Sequence, residues 1–341
     1  MKPTIKDVAK KSGVSIATVS FVINNSKPVS VETRNRVLKA IKSLNFRPSN
    51  SARDLVTGKT GNIGFILTDD HFLRTEPFYT RIFLGTEFEA RSEGYYILLT
   101  TIKRDFKETD NLPRFIIDRN VDGVIVAGKV PHCFIERLSA SNLPAVFIDY
   151  IPPKNDYPMV LIDNIQGALM ATNHLISLGH TNIAFIGGGT EHPSWVDRLK
   201  GYKQALESSN IPIKNSLIVA NDKFQGRQNG FNSAKMLFSK KNNITAVFAA
   251  NDAMAIGVLK YLRDNGKRVP QDVSLIGFDD IEADLMLSPT LSTIRVPKLE
   301  LGTEALKLLV NVIKSKKSLS KKILVPVELI IRESTSIYSP K

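Results

Sequence analysis

The chain has 341 residues, 43% hydrophobic and 23% charged, the balance of a folded protein with two or three domains. A single cysteine, Cys133, excludes an internal disulfide and fits a reducing compartment, and no apolar run reaches the ~18 residues of a membrane-spanning helix. The net charge of +13 is concentrated: residues 1–60 carry twelve Lys and Arg against Asp7, Glu32 and Asp54, a net +9 on less than a fifth of the chain. That is the footprint of a phosphate-binding surface. The opening segment MKPTIKDVAKK lacks the apolar stretch of a secretory signal, so a soluble protein of the cytoplasm is expected.

Residues 4–60 read as three short helices followed by a basic, helix-capable hinge. Thr4 is placed to cap the first helix, with Asp7 completing a capping box. Ser12-Gly13-Val14 makes a tight turn, and Ser15 caps a second helix running to about Ile23. Val8, Ala9, Val14, Val19, Val22 and Ile23 form the contact between the two helices, leaving Ser15, Ile16, Ala17, Ser20, Phe21 and Asn24 facing outward. Two short helices joined by a glycine-containing turn make a helix-turn-helix, whose second helix enters the DNA major groove.

From Gly61 the pattern changes to short apolar runs alternating with amphipathic stretches. Strands are predicted at 63–67, 95–99, 121–126, 145–148 and 160–162, with helices at 78–92, 107–119 and 132–140. A second series has strands near 182–186, 216–219, 245–249 and 273–276, and helices near 164–178, 197–208, 226–239 and 252–265. Such alternation argues for two α/β lobes, each a doubly wound parallel sheet, with ligands bound at the carboxyl ends of the strands. The lysine-rich stretch 314–322 reads as solvated surface.

The pattern T-I-x-D-V-A-x-x-x-G-V-S-x-x-T-V-S-x-V-x-N runs from Thr4 to Asn24. It is followed by R-P-S-N-S-A-R-D-L at 47–55, D-N-x-x-G-A at 163–168 and H-L-I-x-L-G-H at 174–180. A-N-D-A-M-A-I-G at 250–257, V-S-L-I-G-F-D-D at 273–280 and I-R-E-S-T at 331–335 complete the series. In these ordered segments the chain resembles the LacI/GalR family of bacterial transcription regulators. The resemblance implies a helix-turn-helix head at 1–48, a hinge helix and linker at 49–60, and a periplasmic-binding-protein-like core at 61–341. Within that core, about 61–162 and 293–324 would build the lobe near DNA, and about 163–291 and 325–341 the far lobe.

By the same resemblance, a homodimer would read a pseudopalindromic operator under the control of a small effector, with no cofactor or metal. Thr4, Ser15, Thr18, Ser20, Asn24 and Ser30 would contact the DNA backbone, and Ile16, Ala17 and Phe21 would face bases. Ile16 and Ala17 suit thymine methyl groups. Phe21 departs from the arginine common in relatives and makes no bidentate contact to guanine, leaving two readings open: contact with DNA or packing on its own domain. Leu55, with Ala52 and Arg53 beside it, takes the hinge position that wedges into the minor groove; Asp54 is a charged departure there.

Carried over one by one, the effector positions are Phe78, Arg198, Phe224, Asn251 and Asp279, each expected just after a strand's carboxyl end, with Trp195 and Asp149 as additions. Their chemistry suits a polyhydroxyl ligand, a sugar or sugar phosphate, although an Arg198–Asp279 structural ion pair is the plain alternative. Tyr150, where relatives often carry arginine, and the extended loop Asp69–Glu76 are departures.

Rival functions find little in the residues. Thr57-Gly58-Lys59-Thr60 resembles the end of a P-loop, but Arg53 occupies the required glycine, and Gly187-Gly188-Gly189 lacks dinucleotide-binding spacing. The five histidines show no metal-ligand spacing. A solute-binding receptor with the same core would have no use for the basic head. An activator of the same architecture remains the open alternative.

Overall fold

A computed structural model describes residues 3–24, 27–46, 59–72, 78–153, 156–189, 192–221, 226–240, 242–315 and 320–340. The chain forms two compact units, residues 1–62 with 120–122, and residues 63–119 with 123–341. The expected hinge contacts Ala52, Arg53 and Leu55 lie outside the described residues.

In the first unit, α1 spans Ile5–Ser12, α2 Ile16–Asn24 and α3 Val31–Ser43. The Asp7 carboxylate accepts from the Thr4 backbone N–H at 2.8 Å and the Thr4 hydroxyl at 2.7 Å, closing the first turn of α1. Gly13 ends α1 at φ +66°, a left-handed conformation that a side chain would strain. Ser15 Oγ accepts from the Thr18 N–H at 3.1 Å, and Ser30 Oγ accepts from the Thr33 N–H at 3.3 Å, so both serines cap helices. Val8, Ala9, Val19, Val22, Val37, Ala40 and Phe46 are buried together, with Val14 and Ile23 packed at the margin.

The second unit contains two parallel sheets. One has the order β11-β5-β4-β3-β1-β2, from Lys322–Val325, Met159–Ile162, Ala145–Ile148, Gly123–Ala127, Asn62–Thr68 and Tyr96–Ile102. The β1–β3, β3–β4, β4–β5 and β5–β11 pairs are parallel. The other is β7-β6-β8-β9, from Ile218–Ala220, Ile183–Gly187, Ala246–Ala249 and Ser274–Ile276, again parallel. An antiparallel pair, β10 (Thr293–Arg295) with β12 (Glu328–Ile330), runs alongside the second sheet, bridged through Asp279 and Arg295. Strands buried on both faces, such as Gly123–Ala127 and Ile183–Gly187, are apolar throughout because helices cover both sides.

The helices of this unit are α4 (Asp69–Phe72), α5 (Phe78–Ser92), α6 (Arg114–Ile117), α7 (His132–Ala140) and α8 (Asn164–Ser177). They continue with α9 (Pro193–Ser208), α10 (Gly226–Phe238), α11 (Asp252–Asp264) and α12 (Lys298–Ser315). Glycine lets two of these pairs touch backbone to backbone. A Cβ on Gly85 of α5 would run into the Leu299 carbonyl of α12, and one on Gly230 of α10 into the Met254 carbonyl of α11.

Four local expectations are corrected. The helix expected at 107–119 shrinks to α6, because the Lys107 N–H donates to Asp110 Oδ2 at 2.9 Å in a turn and Pro113 permits a helix only after itself. The strand expected at 216–219 begins as a 3-10 turn at Asn215–Leu217 and extends only over Ile218–Ala220. The helix expected from 197 starts at Pro193, whose fixed φ suits a first turn. Within the stretch 314–322, Lys322 opens β11 and pairs with Met159, because β5 offers it a free parallel edge.

Candidate functional site

On α2, nine residues without a charge divide cleanly between inside and outside. At roughly 100° per residue, Val19 and Val22 share one face and Ala17, Ser20 and Phe21 the opposite one, with Ile16 at the margin beside Ile23. Val19 and Val22 are buried; Ile16 is 45% exposed, Ala17 is exposed, and Ser20 and Phe21 are half-exposed. The Phe21 ring has the Lys27 ammonium 5.0 Å from its centroid, so it is neither core nor bare. Asn24 closes α2. Ser15 and Thr18 join hydroxyls at 2.9 Å at the start of the helix.

The second constellation gathers at strand ends in the core. Asp149, just past β4, accepts from the Tyr79 hydroxyl of α5 at 2.9 Å and the Ser194 hydroxyl of α9 at 3.3 Å. Through Ser194 it links the strand ends of the first sheet to the helix that follows β6 of the second. Arg198, 3% exposed, donates from Nε to Asn164 Oδ1 at 2.8 Å and from a terminal nitrogen to the Ala250 carbonyl at 2.5 Å. Its guanidinium lies 3.6 Å from the Phe278 ring centroid and 5.4 Å from that of Trp195. The same guanidinium stands 3.5 Å from Asp279 Oδ1, a buried oxygen that has no hydrogen-bond partner among the described residues. Burial, opposed by Arg198 and Lys298, pushes the Asp279 carboxyl up to about 7.

Backbone conformation supports the same cluster. Asp149 (φ +55°) and Asp279 (φ +116°) both occupy left-handed space, where a non-glycine residue is strained and surrounding contacts must hold it. For Asp279 those contacts come from Lys298, whose ammonium donates to the carbonyls of Asp279 and Asp280 while lying 5.9 Å from the Phe78 ring centroid. Asp280 is clamped by Arg332 at 2.5 Å and Arg295 at 2.7 Å; burial raises its carboxyl, but these hydrogen bonds outweigh burial and hold it below the ordinary range.

Beneath the turn lie Asp252, which starts α11, and Asp284, both fully buried. Asp252 Oδ1 accepts from the Thr293 hydroxyl at 2.7 Å, and Asp284 Oδ2 from the Ile281 N–H at 3.0 Å. Burial first, and the Asp252 charge second, push Asp284 up to about 10, and burial raises Asp252 as well, so the pair of carboxyls resists losing its last proton.

The cluster thus contains Asp149, Trp195, Arg198 and Asp279, with Phe78 linked through Lys298 and Asn251 through the adjacent Ala250 carbonyl. Asn251 uses its Oδ1 to cap α11 through the Met254 N–H at 2.8 Å, leaving its amide NH2 for a partner. Phe224 lies outside the described residues. The expectation that each residue directly follows a strand is corrected for Phe78 and Arg198: Phe78 opens α5 with α4 between it and β1, and Arg198 sits on the second turn of α9, because that helix begins earlier than expected and turns the side chain inward. Tyr79, Asn164, Ser194 and Lys298 were missed. Asn164 carried a signal in D-N-x-x-G-A, and Tyr79 in its place beside Phe78; Ser194 and Lys298 carried none until folding brought them in.

Two family models match the chain: "Bacterial regulatory proteins, lacI family" over residues 4–49 and "Periplasmic binding protein-like domain" over residues 172–335. Catabolite control protein A of Priestia megaterium is 34% identical over 98% of this chain and 100% of its own length. The chain belongs to the LacI family. The HTH-type transcriptional repressor PurR of Mannheimia succiniciproducens is 33% identical over 97% of this chain and 98% of its own. Among solved structures, the Lac repressor dimer bound to operator and the anti-inducer ONPF has a TM-score of 0.81 at 25% identity, covering 98% of this chain and 100% of that one. The transcriptional regulator CelR in its cellobiose complex has a TM-score of 0.74 at 31% identity, covering 97% and 99%. This LacI-family chain is accordingly a DNA-binding transcriptional regulator with a ligand-binding core, and not an enzyme. No helix among the described residues is long and apolar enough to cross a membrane.

Proposed function

We propose that the protein is a homodimeric repressor of the cytoplasm whose hold on a pseudopalindromic operator is set by an uncharged sugar bound in the core. The observation that carries the effector reading is the buried, hydrogen-bond-free Asp279 oxygen facing Arg198. A buried carboxylate oxygen without a donor is costly, and a ligand hydroxyl removes the deficit. The Asp149 carboxylate and the open Asp279 oxygen are acceptors for ligand hydroxyls, whereas Lys298 and two of the Arg198 N–H groups are engaged by protein oxygens. That balance favours hydroxyls over a phosphate, and the half-buried Trp195 offers an apolar ring face to a pyranose. A hydroxyl that displaces Ser194 from Asp149 would loosen one lobe from the other, giving the effector a differential hold on two arrangements. The dimer reading draws support from the exposed apolar side chains Leu285 (63%) and Met286 (86%) beyond the Asp279–Asp280 turn.

Trp195 is the chain's only tryptophan and lies directly over Gly188, so its fluorescence reports on this site. Neutral mono- and disaccharides, their phosphates and nucleobases should be titrated against fluorescence and thermal unfolding. A neutral sugar at a hundredfold excess over its Kd should stabilise the fold by about 2.7 kcal/mol. A response to phosphates or nucleobases alone would reject the sugar reading. Operator binding by fluorescence anisotropy, with and without that sugar, then tests the coupling.

A further inference from the structure

The outward face of α2 has no means of making the commonest specific protein–DNA contact. Arginine or lysine to guanine needs a cationic donor on the reading face. Here that face and its margin are Ile16, Ala17, Ser20 and Phe21, and the whole helix is uncharged. Three of these four side chains are apolar, and they stay accessible on a head whose surrounding charge is strongly positive. Charge complementarity selects a polyanion as the occupant, and an apolar strip within a cationic surround selects the apolar feature of the major groove. That feature is the C5-methyl group of thymine.

We infer that Ile16, Ala17 and Phe21 read thymine methyl groups, so that each operator half-site carries T·A pairs beneath the outward face of α2. The inference rests on the regulator reading above. Lys27 defines how Phe21 takes part. Its ammonium lies 5.0 Å from the ring centroid and covers one ring face, which leaves the ring edge for a methyl group and denies it the two free faces that insertion between bases requires. Lys27 supplies the charge at the margin of the strip, where it meets phosphate and carries no base preference.

The test begins by selecting duplexes from a randomised pool with the full chain. Within the enriched half-site, each thymine is then replaced singly by 2′-deoxyuridine, which removes the methyl and preserves the pairing. Loss of one buried methyl should weaken binding about fourfold, the equivalent of ~0.8 kcal/mol. The effect should appear at two or three thymines and be absent at the others. Replacing one of those thymines by cytosine should weaken binding, and 5-methylcytosine should restore part of it, since this face senses the methyl and not the exocyclic group. Phe21→Ala should erase the uracil effect at one position, and Ile16→Ala, at a more exposed site, provides the same readout should the first variant fold poorly. Lys27→Ala should weaken thymine and uracil duplexes equally. Uracil neutrality throughout, or a strict guanine requirement under α2, overturns the inference while leaving the regulator intact. A pool with no enriched sequence overturns the regulator reading and this inference with it.

Discussion

Replacing Asp284 by asparagine should stabilise the core, and increasingly so as pH rises. In the folded chain Asp284 is fully buried against Asp252 and pushed up to about 10, whereas an unfolded aspartate titrates near ~3.9. Between those limits the native state holds a proton that the unfolded state has released. Stability therefore falls as pH rises, by up to about 1.4 kcal/mol per pH unit from this group. At about pH 7 the proton uptake costs roughly 4 kcal/mol. An asparagine amide donates to Asp252 without taking up a proton, but it brings a second N–H that needs a partner, a loss of about 2 kcal/mol. The variant should thus match the parent near pH 5, exceed it by roughly 2 kcal/mol near pH 7, and by roughly 4 kcal/mol near pH 8.5. Urea unfolding followed by Trp195 fluorescence and circular dichroism at these three pH values measures the difference. Parallel pH profiles for the two proteins would refute a shared proton between Asp252 and Asp284.

Effector affinity should depend on Asp279 in the opposite sense: its carboxyl sits at about 7 and accepts ligand hydroxyls when ionised, so Kd should rise by up to about tenfold per pH unit below 7. Asp279→Asn should bind more weakly with a flat profile, measured by calorimetry, and a parent profile flat between pH 5 and 8 would count against this role. Gly85→Ala, which drives a Cβ into the Leu299 carbonyl, should cost about 2 kcal/mol or more of core stability in urea unfolding; a neutral result would mean that α5 and α12 separate easily. Operator affinity should drop on the order of 10³-fold between roughly 50 and 200 mM salt if six or more phosphates are contacted, and a shallow slope in anisotropy titrations would contradict the basic head. Leu55→Ala should weaken operator binding with effector affinity unchanged; equal loss of both in paired titrations would place that leucine elsewhere than a DNA wedge.

Much of the proposed effector cluster is legible in the sequence. Asp149, Arg198, Asn251 and Asp279 stand in ordered motifs, and their chemistry alone suggests hydroxyl recognition. Their electrostatic state was not readable. Arg198 looks like a free cation in D-R-L-K-G-Y, yet Asn164, the Ala250 carbonyl and the Phe278 ring absorb it. Asp284 looks like a surface acid in I-E-A-D-L, yet it is fully buried against Asp252, thirty-two positions earlier. Partners this distant leave no spacing signal.

Most local elements of this protein follow from neighbours along the chain. Thr4, Asp7, Gly13 and Ser15 start and stop the first two helices through contacts within a few residues, and continuous apolar runs mark strands buried on both faces. Its uncharged α2 and basic surroundings are likewise properties of composition at short range. Which carboxyls are ionised, which cations are engaged, and the meeting of Tyr79, Asp149 and Ser194 emerge only on folding. The reason is physical. Backbone capping and periodicity act over one or two turns, whereas desolvation and charge pairing depend on neighbours brought together from distant parts of the chain.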